Sequence, residues 1–161
     1  MKLRPIVLLL AVCAGVAPVS AGQRIAVQTG TGAPVNVSAS DIAGMPHQKL
    51  SADEHGKSVD FEGVPLRLVL EKAGVVFDGA MHSKKLTSYL LVEAADGYRV
   101  IFAMAELDPA FTDRVILLAD RVDGHPLDNK EGPLRLVVPG EKRMARWVRQ
   151  VTGLKVEEVG P

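Results

Sequence analysis

The chain has 161 residues, with 19 basic and 19 acidic side chains, four histidines and one cysteine. This length suits one domain, and a net charge near zero argues against bulk binding to nucleic acid or to a membrane surface. With a single cysteine, Cys13, the chain can form no internal disulfide.

Residues 1–21 have the pattern of a secretory signal peptide. A charged start at Lys2 and Arg4 precedes an apolar core over residues 6–17, and small residues offer a cleavage point before Gly22. We therefore expect a periplasmic or secreted protein whose mature part, residues 22–161, is one domain without a membrane contact.

Residues 10–13 resemble a lipidation motif. Val12 is bulky where that motif requires a small residue, which disfavours lipid attachment at Cys13.

The first part of the mature chain predicts short elements. Residues 24–28 and 34–37 read as strands, and residues 38–43 as a helical turn capped by a serine and ended by Gly44. Residues 47–59 are polar and predict either an exposed hairpin loop or an active-site loop; the first is favoured because loops are polar by default.

Residues 64–74 predict the clearest helix, because apolar side chains recur at the i, i+3, i+4 and i+7 spacing between Pro65 and Gly74. Asp96-Gly97 and Asp123-Gly124 follow apolar strand patterns and predict two hairpins, separated by a helical turn over residues 104–107. Strands at residues 134–138 and 154–157 complete a strand-rich α+β domain with a mixed β-sheet and few short helices.

A cluster of cations follows the strand at residues 134–138. Pro139-Gly140 ends that strand, and Trp147, the only tryptophan, lies among the cations. The C-terminal edge of a buried strand in a mixed α/β architecture is a usual place for an anionic ligand. The candidate binding residues are therefore Lys142, Arg143, Arg146 and Arg149.

No other group of residues in the sequence indicates a catalytic or metal-binding site. The histidines (His47, His55, His82 and His125) lack metal-ligand spacing, and no nucleophile-elbow, P-loop or dinucleotide-binding motif occurs. The sequence therefore predicts neither a catalytic residue nor a metal ligand.

Three segments resemble the molybdopterin-binding domain of the sulfite oxidase family. Gly124-His125-Pro126-Leu127, the run GPLRLVVPG over residues 132–140 and the A-R-x-V segment over residues 145–149 follow the family's succession, and residues 61–66 resemble its segment before a helix. The resemblance covers most of residues 59–156, and GPLRLVVPG is its specific part.

The resemblance implies a mixed α+β fold and a pterin cofactor whose phosphate is held by basic side chains. Arg146 and Arg149 match the basic positions of the family's segment and would contact the cofactor phosphate; Lys142 and Arg143 are additional cations. Guanidinium groups bind phosphate through bidentate, charge-assisted hydrogen bonds.

Two departures argue against a molybdenum enzyme. Family enzymes bind molybdenum through a cysteine thiolate before the segment that residues 61–66 resemble, and residues 49–60 contain no cysteine. Family enzymes also leave the cytoplasm folded by the twin-arginine route, whereas this leader has the single Arg4 of an ordinary Sec signal, and unfolded export would strip the cofactor.

Three functions remain open. The leading hypothesis is an exported, non-catalytic domain of this fold, without a bound cofactor, that binds a small anion or an envelope partner protein through the basic cluster. The second is a molybdopterin-dependent oxidoreductase, since the resemblance admits that cofactor. The third is a structural module of an envelope complex.

The leader provides a test of the cofactor-free hypothesis. Replacing residues 1–21 with a strictly Sec-dependent leader should preserve the yield of folded protein, because no cofactor has to be loaded before export. Circular dichroism and thermal unfolding of the exported protein would measure this. A folded product obtained only with twin-arginine export would contradict the hypothesis.

Overall fold

The fold is taken from a computed structural model, which describes residues 24–77 and 86–159. The predicted leader, Cys13 and His82 lie outside these residues. The described strands are β1 (Arg24–Thr29), β2 (Val35–Ser38), β3 (Gln48–Glu54), β4 (Lys57–Pro65), β5 (Ser88–Ala94), β6 (Arg99–Ala103), β7 (Leu117–Val122), β8 (His125–Pro126), β9 (Arg135–Val137) and β10 (Val151–Glu158). The described helices are α1 (Ala39–Ala43), α2 (Leu66–Lys72) and two 3-10 turns, Met104–Glu106 and Met144–Arg146.

The strands form two sheets. The first has the order β2-β1-β10-β5-β6, and its β1–β10 pair is parallel while its other pairs are antiparallel. The second has the order β3-β4-β7-β8, and β9 also pairs with β7. The expected mixed-sheet α+β architecture with few short helices is therefore confirmed.

One hydrophobic core includes residues of both sheets. Val27 of β1 and Leu154 of β10 are fully buried, as are Phe61 of β4 and Leu118 of β7. Backbone hydrogen bonds around β9 reinforce the connection, because Leu136 N–H donates to the Val148 carbonyl at 2.7 Å. The segment after the basic cluster is thereby tied to the strand before it.

Local sequence signals explain several elements. Ser38 caps α1 by accepting a hydrogen bond from Asp41 N–H, Asp41 in return accepts one from the Ser38 backbone N–H, and Gly44 follows as the C-cap. Both Asp-Gly turns join antiparallel strands as predicted, β5 to β6 and β7 to β8. None of the described helices is both long and apolar enough to span a bilayer.

The polar segment 47–59 is not an extended loop. Most of it lies in β3 and β4, which pair in antiparallel register from Gln48–Gly63 to Glu54–Lys57 around a two-residue turn. The loop prediction is wrong for most of this segment because β3 lies at the edge of its sheet and exposes polar side chains, leaving only Leu50 and Ala52 of β3 to face the core.

Gly63 allows β4 to approach β7 closely. The register between the two strands shifts between Glu62 and Gly63, and a Cβ at Gly63 would lie 2.2 Å from the Leu118 carbonyl oxygen and 2.5 Å from the Ala119 Cα. No side chain fits at this distance from backbone atoms, so the sheet requires glycine here.

Gly63→Ala should therefore destabilise the protein by about 3 kcal/mol or more, since a methyl group forces β4 and β7 apart. Gly44→Ala is the matched control: its backbone is right-handed helical and its Cβ would meet nothing closer than 3.5 Å. We expect the control to stay within about 0.5 kcal/mol of the parent in urea unfolding. Equal stability of the two variants would contradict the close approach.

Candidate functional site

Most of the predicted basic cluster lies in a loop that begins after β9 and ends at Trp147. Gly140, after the strand, adopts a φ of +79°, and the 3-10 turn Met144–Arg146 leads into Trp147. The Trp147 indole N–H donates to the Val138 carbonyl at 2.9 Å, and the side chain is buried. Trp147 is thus a core residue that fixes the base of the loop.

Arg146 is half-buried, and its guanidinium group has several partners. Its guanidinium group lies 4.5 Å from the ring centre of Phe102 and donates to Glu141 from Nε at 2.8 Å and to Glu106 from Nη1 at 3.2 Å. It also donates to the Ile101 carbonyl at 3.4 Å. Two carboxylates therefore neutralise the residue that the family resemblance assigns to a cofactor phosphate.

The pKa values of this cluster reflect the pairing. Burial lowers the pKa of Arg146, but hydrogen bonds and charge from Glu106 and Glu141 outweigh it, so the pKa lies above its ordinary value. Burial likewise raises the pKa of Glu106, yet the hydrogen bonds from Arg146 and the Ala103 N–H, together with the cationic charge, hold it below its ordinary value. Arg114 adds a second cation at 2.5 Å from Glu106.

Arg149 faces a different partner. Its Nε lies 3.5 Å from Glu131, and 55% of its side chain is exposed. The predicted pair of phosphate contacts, Arg146 and Arg149, is thus divided between separate carboxylates.

Lys142 and Arg143 differ from the other two cations. Both are exposed, and within the described part of the chain neither forms an ion pair. They line a cavity of about 500 Å³ together with Met144, Ala145 and the turn between β3 and β4. Of the four predicted binding residues, these two are the ones without a carboxylate partner among the described residues.

The end of β3 and the turn between β3 and β4 also line this cavity. The Gly56 N–H donates to the Asp53 carboxylate at 2.8 Å, and His55 and Gly56 have φ values of +55° and +80°. A histidine in the left-handed region is uncommon outside tight turns and functional sites. The end of β3 and this turn therefore add two polar side chains, Asp53 and His55, to the lining that contains the two cations.

Arg135 is a buried residue that the sequence patterns did not single out. Its side chain is 1% exposed, and its Nη2 donates to Glu54 at 2.7 Å while its Nη1 donates to Glu131. The guanidinium lies over the rings of Phe61 and Trp147 at 5.2 and 5.4 Å. The sequence offered one indication of this role: Arg135 is a charged residue within an otherwise apolar segment. A charge that is buried in such a segment requires buried partners.

Arg135 connects the two walls of the cavity. Glu54 is the last residue of β3, directly before the turn, and Trp147 follows the basic loop. The same guanidinium group therefore contacts both, and Glu131 is shared between Arg135 and Arg149.

The residues present do not fit a thiolate-held molybdenum centre. Residues 49–60 offer only oxygen and nitrogen donors, and the Ser51 hydroxyl in that segment already donates to Asp60 at 2.5 Å. Among residues 24–77 and 86–159, no three histidine or carboxylate side chains gather closely enough to hold a metal ion.

Comparisons with known proteins agree with this architecture. The family model described as the oxidoreductase molybdopterin binding domain matches residues 45–160, so the chain belongs to that family. The crystal structure of the sulfane dehydrogenase SoxCD from Paracoccus pantotrophus superimposes with a TM-score of 0.63 at 21% identity, over 85% of this chain and 38% of that chain. This likeness shows the fold, and the chain spans well under half of that protein's length. No curated protein sequence matches the chain.

The Glu106 cluster generates a pH-dependent prediction. The pKa of Glu106 is depressed in the folded state, so its stabilising contribution is present above the ordinary carboxyl pKa of about 4.3 and is lost as the pH falls through the lower folded value. Glu106→Gln should cost about 1 to 2 kcal/mol at pH 7, and the difference from the parent should shrink below about pH 4.

Urea unfolding between pH 3 and pH 7 would measure this difference. Glu62→Gln is the control, because Glu62 is as exposed as Glu106 but forms only one long ion pair, at 3.9 Å, with the exposed Lys49. A constant difference between Glu106→Gln and the parent across this range would contradict the assigned pairing.

Proposed function

We propose that this member of the molybdopterin-binding domain family is an exported, non-catalytic protein that binds a small anion through Lys142 and Arg143. One observation carries the proposal: these two cations have no carboxylate partner in the described part of the chain, and both line the same cavity. The other two predicted cations form ion pairs: Arg146 with Glu106 and Glu141, and Arg149 with Glu131.

The two cations suit an oxyanion in complementary ways. The Arg143 guanidinium offers a planar fork of donors that matches a phosphate or carboxylate, and the Lys142 ammonium adds a mobile point charge. The loop that holds them is anchored by Arg146 and Trp147, so an anion would meet a largely fixed surface. Pre-organisation of this kind lowers the entropic cost of binding.

The donor set supports a role without redox chemistry. Soft metals such as molybdenum favour sulfur ligands, and the only cysteine of the chain, Cys13, precedes the predicted cleavage point. The Sec-type leader supports export in an unfolded state. Both features favour a cofactor-free protein of the periplasm or the extracellular medium.

Titration with inorganic phosphate tests the site. The double variant Lys142→Ala/Arg143→Ala should bind phosphate at least about tenfold more weakly than the parent, a loss of about 1.4 kcal/mol. Isothermal titration calorimetry at low ionic strength is the suitable measurement, because salt screens exposed charges. The matched control, Arg121→Ala/Lys130→Ala, removes two exposed cations that lie outside the cavity and should bind as the parent does.

Two results would overturn the proposal. Equal phosphate affinity in the parent and in Lys142→Ala/Arg143→Ala would remove the anion site and favour a structural module of an envelope complex. One molybdenum per chain in protein purified from the periplasm, with pterin fluorescence after oxidation, would favour the oxidoreductase.

A further inference from the structure

The cavity at Lys142 and Arg143 carries charge of both signs. Asp53 also lines this cavity, and one of its carboxylate oxygens accepts the Gly56 N–H. No described residue pairs with its other oxygen. Glu141 also lines the cavity, but Arg146 neutralises it.

The acidic and basic side chains that line this cavity are not all joined in ion pairs. Asp53 forms no ion pair with Lys142 or Arg143, although all three line the same 500 Å³ space. A space of this size accommodates a small molecule. A purely anionic ligand would gain from the cations but would be repelled by Asp53, whereas a ligand that also carries a positive charge would gain at both walls.

The wall that carries Asp53 is held in place. The neighbouring Glu54 accepts a hydrogen bond at 2.7 Å from Arg135, whose side chain is 1% exposed. The turn itself is tightened by the Asp53–Gly56 hydrogen bond. The backbone at Asp53 is therefore anchored through Glu54, and its carboxylate is oriented by the Gly56 N–H rather than by a cation.

We propose that the natural ligand of this cavity is a small zwitterion. Its oxyanion contacts Lys142 and Arg143, and its ammonium group contacts Asp53, with the His55 imidazole available as a further hydrogen-bonding partner. The inference rests on the proposed anion site and adds the second charge of the ligand to it.

Three soluble probes of similar size test the inference. O-phosphoethanolamine carries both charges, ethyl phosphate lacks the ammonium group and ethanolamine lacks the phosphate. The parent protein should bind phosphoethanolamine about two- to fivefold more tightly than ethyl phosphate, the gain expected of one exposed ion pair, and ethanolamine most weakly. Calorimetry of the mature chain at pH 7 and low ionic strength gives the three affinities.

The variant Asp53→Asn should abolish this preference and leave ethyl phosphate bound at least as tightly as by the parent. Asp96→Asn is the matched control, because Asp96 is also an exposed turn aspartate that accepts a backbone N–H, from Tyr98 at 2.9 Å, but it lies outside the cavity. The control should keep the preference of the parent.

The outcomes separate the two proposals. If the parent binds ethyl phosphate as tightly as phosphoethanolamine, and Lys142→Ala/Arg143→Ala weakens both, the zwitterion is overturned and the anion site stands. If neither probe binds, both proposals fall. If Asp53→Asn keeps the full preference, the ammonium contact is wrongly placed and the inference is overturned.

A free metabolite and a lipid headgroup share this chemistry. Co-sedimentation with phosphatidylethanolamine vesicles, compared with phosphatidylglycerol vesicles that lack the ammonium group, distinguishes the two sources. Selective sedimentation with the first kind supports a headgroup ligand, and binding of soluble phosphoethanolamine without sedimentation supports a free zwitterion.

Discussion

The buried guanidinium of Arg135 is the interaction on which the arrangement of the cavity depends. Removing a cation from water costs several kcal/mol, and the cost is recovered only when its donors are matched. Here Glu54 and Glu131 accept from two of its nitrogens, and two aromatic rings cover its faces. The Nε atom alone has no partner among the described residues. The end of β3, which carries Asp53 and Glu54, and the indole of Trp147 after the basic loop are both held by this one group.

The basic residues near β9 have two different roles, although they are close in sequence. Arg146 links the loop to the 3-10 turn after β6 through Glu106 and to its own loop through Glu141. Lys142 and Arg143, at the middle of the loop, contact neither carboxylate and face the cavity. The structural cation thereby holds the two available cations in place, and the family resemblance alone does not distinguish the two roles.

Local patterns predicted most of the fold. Asp96-Gly97 and Asp123-Gly124 specify their hairpins because these residues readily adopt the turn conformation, and the serine at position 38 specifies the start of α1. The β3–β4 hairpin was missed because an edge strand exposes polar side chains. Sequence patterns could not predict the pairing of Arg146 with Glu106, because the two residues are 40 positions apart and come into contact only in the folded protein. Trp147 lies among cations in the sequence, yet its side chain is buried in the core.

The position of Arg146 over β6 has a consequence for solubility. β6 is the last strand of the first sheet, and an exposed last strand can recruit a strand from another molecule into a growing assembly. Arg146 donates to the Ile101 carbonyl of this strand, and the Tyr98 hydroxyl donates to the Ala145 carbonyl just before the strand begins. The loop thus places the Arg146 guanidinium group against the exposed edge of β6 and occupies the Ile101 carbonyl. Both effects discourage the addition of a strand from another molecule and the fibrils that would follow from it.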